Sequence, residues 1–215
     1  MSKIRTVSRL QDYLDKEFAW RLQEIAYLKI IVRRSDLISK KTAVRAAVSL
    51  LYGHWEGFVK NTATYYLEFI NGQMLTYKDL KTCFVVFGLK GKINELVSSK
   101  KSKVSIALLD FIRDEMEEKA KLRIESAIRT ESNLSSEVFS NIACSIGIDL
   151  SQYEARFNLI DESLLSRRNR IAHGEYLDID PDGFRNLADE IIYLLRIFKT
   201  DIENAVALED YKTSA

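Results

Sequence analysis

Apolar residues recur at intervals of three and four along much of this chain, the spacing of one face of an α-helix. The first such stripe predicts a helix from about residue 10, with Ser8 and Gln11 forming a capping box at its start. A second stripe ends at Asn71-Gly72, a typical helix stop. The two helices are expected to pack antiparallel. Their apolar positions are Leu10, Leu14, Phe18, Leu22, Ile25, Leu28 and Val32, then Val44, Val48, Leu51, Trp55, Phe58, Thr62, Tyr65 and Phe69.

The last part of the chain predicts a second helical pair. A helical segment begins at Asp161 and stops at Gly174, directly after His173. Pro181 then falls near the first turn of a long helix, where its missing N–H costs little. The buried stripe of that helix is Leu187, Ile191, Leu194, Phe198, Ile202 and Ala205.

Residues 76–150, between the two pairs, predict shorter elements. Thr76 caps a segment through Phe87, and Gly88 and Gly91 break it. Further helices are expected from Ser102 to about Glu118 and from 133–136 to Gly147. The chain is therefore expected to be all-α: a single domain over 1–215, made of about four long helices with an inserted region of shorter helices at about 76–150.

Composition supports this interpretation and narrows the function. With 47% hydrophobic residues, 8 Gly and 1 Pro in 215 residues, the chain can bury a core and favours long helices. A net charge of +1 argues against broad coating of nucleic acid, so any such site must be local. Cys83 and Cys144 form no disulfide framework, the first residues have no signal-like apolar region, and no segment is apolar enough to span a membrane. A cytoplasmic location is expected.

The chain has only two histidines, His54 and His173. This number excludes a three-histidine metal site, and no cofactor is expected. His54 precedes Trp55 within the second apolar stripe and is expected to be structural or surface-exposed. His173 ends a helix beside arginines and is the stronger candidate for chemistry.

Arg168, Asn169 and His173 together could cleave an RNA phosphodiester without a metal. The reaction needs a proton removed from the 2′-hydroxyl, charge stabilised on the phosphate and a proton delivered to the leaving 5′-oxygen. Histidine moves protons near neutral pH, and the forked guanidinium of arginine can hold two phosphate oxygens. Asn169 lies about 40° from His173 around a helix and can orient either the imidazole or the phosphate.

Arg168 lies about 140° from His173 on an ideal helix, so the two do not share a face. Three arrangements could reconcile them: a distortion near Gly174, a long Arg168 side chain that reaches around to a cleft, or completion of the site by a second subunit. The single histidine of the segment favours the last, in which two copies of His173 act as general acid and general base.

The segment Arg168-Asn169-Arg170-Ile171-Ala172-His173 resembles the R-x4-6-H motif of the HEPN superfamily. The stretch Arg45-Ala46-Ala47-Val48-Ser49-Leu50-Leu51-Tyr52-Gly53-His54-Trp55-Glu56-Gly57-Phe58-Val59-Lys60 resembles the second helix of its MAE-like branch. The segments around Trp20 and Asn133 also fit, so the resemblance covers most of the chain.

This resemblance implies a homodimeric helical bundle whose facing motifs cleave RNA and leave a 2′,3′-cyclic phosphate. It implies a toxin or an anti-phage, abortive-infection effector, with RNA as substrate and a cognate antitoxin or sensor protein as a further partner. Arg168, Asn169 and His173 are the catalytic candidates. Beside them, four side chains are candidates for substrate contact: Arg167, Arg170, Glu56 and Lys60.

Two other functions fit the same resemblance. The first is a non-catalytic HEPN dimer that acts as antitoxin, sensor or scaffold. The second is a toxin that transfers nucleotidyl groups or is itself modified on a tyrosine. One toxin subgroup has a tyrosine two residues after the histidine, but here Glu175 holds that position and Tyr176 comes one later, which weakens the second alternative.

Overall fold

The structure is a computed structural model that describes residues 4–36, 38–99, 101–124, 128–130, 133–176 and 179–213. Over these residues the fold is all-α, as the apolar spacing predicts. The helices are α1 (Val7–Arg34), α2 (Lys40–Gly72), α3 (Thr82–Ser98), α4 (Ser102–Asp114), α5 (Ser136–Ser145), α6 (Arg167–Ala172) and α7 (Pro181–Ala207), with a 3₁₀ turn (Glu154–Arg156) and a π-helix (Leu159–Ser166) before α6.

Three long helices, α1, α2 and α7, pack against one another and bury most of the predicted stripes, although Phe18, Leu22 and Tyr65 are only half-buried. α1 and α2 are antiparallel, because Asn61 donates to Glu17 at 2.6 Å near the middle of the pair and Gln73 donates to the carbonyl of Arg5 at its end. α7 is antiparallel to α1, with Lys199 bound to Asp15 at 2.9 Å. The apolar pattern thus predicted these three helices correctly.

Several predicted boundaries were wrong. α1 begins earlier than the proposed capping box, because the Thr6 hydroxyl accepts the N–H of Arg9 at 3.2 Å and caps the helix. α4 ends at Asp114, four residues before the predicted end. Thr76 does not cap a helix; its hydroxyl bonds the Asp79 carboxylate in a turn that precedes α3.

The glycines expected to break the middle region lie inside α3. A Cβ on Gly88 would come within 2.3 Å of the Tyr77 ring, and one on Gly91 within 2.5 Å of the Arg123 guanidinium. These positions therefore admit side chains from neighbouring segments against the helix backbone, which explains glycine there without a break.

The region 76–150 is joined to the bundle by backbone contacts and by apolar packing. The N–H of Ala120 donates to the carbonyl of Leu75 at 2.8 Å, just beyond the end of α2. Phe139 of α5 contacts Trp55 of α2 and Phe198 of α7, with ring centroids 5.1 and 5.6 Å apart. One buried hydrophobic cluster includes residues of the long helices and of this region.

The fourth long element is a continuous helical rod in which the π-helix leads directly into α6. The rod starts before the predicted Asp161, whose carboxylate accepts the N–H of Ser136 at 2.7 Å and so fixes the rod to the start of α5. The chain leaves α6 through His173 and turns at Gly174, which has φ +77°. The predicted stop is confirmed.

Across the described residues, no helix combines the length and apolarity needed to cross a membrane. In the same part of the chain, no three His, Cys, Asp or Glu side chains are grouped so that they could hold a metal ion. Cys83 is a half-buried free thiol and Cys144 an exposed one.

Candidate active site

The aromatic ring of Tyr52, in α2, packs against the Arg168 side chain of α6. The Tyr52 side chain is buried, and the guanidinium carbon of Arg168 lies 4.6 Å from the ring centroid. The backbone N–H of Leu134 donates to the Tyr52 hydroxyl oxygen at 2.7 Å. Burial raises the pKa of Tyr52, and the charge of the neighbouring Glu56 adds to this effect. Tyr52 is therefore a neutral, fixed support for the arginine.

Arg168 is held in place by two amide oxygens. Its Nη1 donates to Asn133 Oδ1 at 3.1 Å and to Asn169 Oδ1 at 2.7 Å. Both acceptors are neutral, and no carboxylate of the described residues forms an ion pair with this guanidinium. No carboxylate of the described chain thus compensates the positive charge of Arg168 while its orientation is fixed, an arrangement suited to an incoming anion.

His173 lies at the end of α6 with its side chain exposed to solvent. Its backbone N–H donates to the carbonyl of Asn169 at 2.9 Å. Its imidazole has no hydrogen bond or ion pair with the part of the chain that the structure describes. Asn169 therefore contacts Arg168 through its side chain and His173 through its backbone.

The four side chains predicted to contact the substrate lie in different surroundings. Arg170 is bound to its own loop, with Nε 3.0 Å from the Glu175 carboxylate. Arg167 is half-buried in the rod, and its side chain forms no hydrogen bond with the described residues. Glu56 is half-buried beside Tyr52, whereas Lys60 is exposed one turn further along α2 and forms no ion pair with Glu56.

Lys41 and Arg45 of α2, which carried no role in the sequence interpretation, contact the loop after His173. The ammonium of Lys41 donates to the Tyr176 hydroxyl at 2.7 Å, and Arg45 Nη1 donates to the carbonyl of Glu175 at 2.6 Å. At about 100° per residue, Lys41, Arg45 and Tyr52 lie within roughly 40° of one another on α2. This polar face was a usable sequence signal. The sequence placed Asn133 near a helix start but gave no signal that it contacts Arg168, which lies 35 residues further along the chain.

His54 lies at a separate site between α1 and α2. It is buried, 3.1 Å from a Glu24 carboxylate oxygen but outside hydrogen-bond alignment, and its ring centroid is 5.3 Å from that of Trp20. Burial lowers its pKa. This placement supports the interpretation of His54 as a structural residue.

The chain matches the RiboL-PSP-HEPN family over residues 16–204, and it belongs to that family. HEPN domains are often ribonucleases. No curated protein and no solved structure gives a significant match to this chain.

Proposed function

We propose that this protein is a metal-independent endoribonuclease whose catalytic residues are Arg168, His173 and Asn169. One observation carries the proposal: the Arg168 guanidinium is oriented by Tyr52 and two amide oxygens but has no carboxylate partner in the described chain. A structural arginine is normally paired with a carboxylate, whereas one that stabilises a phosphate must have its charge unpaired until the substrate binds.

The proposed chemistry follows from these three side chains. The imidazole of His173 takes the proton of a 2′-hydroxyl while that oxygen attacks the adjacent phosphorus. The new P–O2′ bond forms as the P–O5′ bond breaks, and a protonated imidazole delivers a proton to the leaving 5′-oxygen. Arg168 stabilises the additional negative charge on the phosphate oxygens, and Asn169 holds its guanidinium in place. The products are a 2′,3′-cyclic phosphate and a 5′-hydroxyl.

Two copies of His173 supply the base and the acid in a homodimer. The exposure of His173 at the end of α6 leaves it accessible to a second subunit. Mixing wild-type protein with increasing His173→Ala protein tests this arrangement. At constant total protein and after subunit exchange, activity should fall with the square of the wild-type fraction if both histidines are needed in one site, and a linear fall would contradict the composite site.

Cleavage itself is tested with the full chain and RNA in EDTA, beside His173→Ala and Arg168→Ala. We expect RNA cleavage without divalent metal, a cyclic phosphate identified by mass spectrometry, and loss of both in either variant. Cleavage that requires metal, or that survives both substitutions, would contradict the proposal. RNA or protein binding without cleavage would instead favour the non-catalytic dimer.

We further propose a cellular role as a toxin or anti-phage effector. This role is supported by membership of a family in which RNA cleavage is common. Expression should arrest growth, and both His173→Ala and Arg168→Ala should relieve the arrest. Arrest that persists in these variants at equal protein levels would contradict a role for RNA cleavage.

A further inference from the structure

Tyr176 is an exposed aromatic residue that is nevertheless fixed by polar contacts. Its side chain is 65% exposed, three residues after His173. The Lys41 ammonium donates to its hydroxyl at 2.7 Å, and Arg170 Nη2 donates to its backbone carbonyl at 3.1 Å. The ring gains little from burial, so apolar packing does not explain why it is held.

The preceding residue is fixed in the same manner. Arg45 donates to the carbonyl of Glu175, and the Glu175 carboxylate is bound by Arg170. Together with the turn at Gly174, these contacts attach the loop after His173 to α2. Tyr27 of α1 offers a contrast, because it is 55% exposed but its hydroxyl has no hydrogen bond among the described residues.

With 65% of its surface exposed, the Tyr176 ring can be reached by a ligand. Because the Lys41 nitrogen is 2.7 Å from the hydroxyl oxygen but 5.3 Å from the ring centroid, it lies beyond the hydroxyl and not above a ring face. No other aromatic ring of the described chain stacks on Tyr176. Lys41 therefore orients the ring by its edge and leaves its π surface accessible.

We infer that Tyr176 stacks a nucleobase beside the scissile phosphate and determines which RNA sites are cut. This inference rests on the proposed ribonuclease function. Exposed aromatic side chains bind single-stranded RNA by base stacking, and every base offers a π face. At most about 10 Å of backbone separates Tyr176 from His173, so the stacked base belongs to a nucleotide next to the cleaved bond.

The inference is tested by combining changes in the protein with a change in the RNA. Wild type, Tyr176→Leu, Tyr176→Trp and the matched surface control Tyr27→Leu are assayed on a randomised single-stranded RNA pool, and the product ends are sequenced. The preferred RNA is then compared with copies that lack one base on either side of the cut.

We expect Tyr176→Leu to lower kcat/KM about tenfold, the size of a single stacking contact, and to remove the base preference at one flanking position. Tyr176→Trp should keep that preference, and Tyr27→Leu should behave as wild type. Removing the stacked base should cost wild type about tenfold but cost Tyr176→Leu almost nothing. If Tyr176→Leu and removal of the base each lower kcat/KM by the same factor alone and in combination, the two act independently and the inference is overturned. An unchanged base preference in Tyr176→Leu would also overturn it.

The two proposals fail in different ways. If wild type does not cleave, or His173→Ala still cleaves, the proposed function fails. The same comparison of ring and base is then made on the Kd of the full chain for an RNA selected from the pool by binding to wild type and for copies of it that each lack one base, and independent losses again overturn the stacking role. If cleavage depends on His173 but ring and base act independently, only the inference about Tyr176 fails.

Discussion

His54 and His173 each lie near an arginine that stacks on an aromatic ring, but within the described chain the charge of the arginine is compensated at only one of the two places. Beside His54, the Arg21 guanidinium lies 4.3 Å from the Trp20 ring centroid, and in the α6 site Arg168 lies 4.6 Å from that of Tyr52. Each group thus combines a histidine with an arginine stacked on an aromatic ring. The residue types alone do not distinguish a structural group from a candidate catalytic one.

The acceptors of the two arginines do distinguish them. Arg21 binds the Glu17 carboxylate at 2.6 Å, and both side chains are almost buried. Arg168 instead binds the neutral amides of Asn133 and Asn169. A buried charge must be compensated within the protein, whereas a charge directed at a substrate must not be.

The two histidines also differ in their exposure to solvent. His54 is only 4% exposed and lies under Trp20, while His173 lies in solvent at the end of a helix. A phosphodiester could reach only the second. Charge compensation and access to solvent, more than residue identity, therefore distinguish the structural group from the candidate catalytic one.

The largest difference between the two groups should be seen with His173→Ala. We expect cleavage to fall about a thousandfold, because general acid–base catalysis is lost. The free energy of unfolding should change by less than about 0.5 kcal/mol, since the side chain is exposed. RNA cleavage and urea unfolding of the same preparation measure both. A stability loss as large as that of a core substitution would contradict this placement of His173.

Arg168→Lys and Arg21→Lys form a matched pair. Arg168→Lys keeps the charge but loses the planar fork, so cleavage should fall about a hundredfold with little change in stability. Arg21→Lys should lower the free energy of unfolding by roughly 2 kcal/mol, because a buried carboxylate pair is disturbed, and should leave kcat per folded molecule unchanged. Equal effects of the two variants on cleavage would contradict the proposed difference between Arg168 and Arg21.

His54→Ala should act on stability alone. Removal of a buried ring leaves a cavity between α1 and α2, which is expected to cost about 2 kcal/mol of unfolding free energy. Cleavage, corrected for the folded fraction, should equal that of wild type. A loss of cleavage at full folding would give His54 a role in the site.

The smallest expected effect is a pH dependence of stability. Because burial lowers the pKa of His54 below its ordinary value of 6.5, the unfolded chain takes up a proton first as pH falls. The contribution of neutral His54 to the free energy of unfolding is fully present above about pH 6.5 and declines as pH falls towards the folded-state pKa. Urea unfolding between pH 7.5 and 5.5 should show a steeper decline in wild type than in His54→Gln. Parallel curves would contradict the burial effect.

The long helices were predictable because their apolar residues contact one another across regular faces. α3 was not, because Gly88 and Gly91 admit Tyr77 and Arg123 from other segments, which local sequence does not reveal. The π-helix also escaped prediction, since its start and width depend on contacts such as that of Asp161 with Ser136.

The candidate site was partly predictable for a similar reason. Arg168 and His173 are close in sequence and have the spacing of the R-x4-6-H pattern. Asn133 and Tyr52 reach Arg168 across 35 residues and across the interface between α2 and α6. Their roles depend on tertiary packing, although the polar face of α2 that includes Arg45 could have indicated where the loop after His173 is attached.

The π-helix before α6 and α6 itself should respond differently to a change in chain length. The π-helix hydrogen bonds reach one residue further back than those of an α-helix, so Leu159–Ser166 accommodates surplus chain. Deleting Ser163 would let ordinary α-helical turns form there while the flanking residues keep nearly their present orientation. Adding a residue to α6 between Arg168 and His173 would instead turn one side chain by about 100° relative to the other. The π-helix should therefore tolerate a missing residue far better than α6 tolerates an added one.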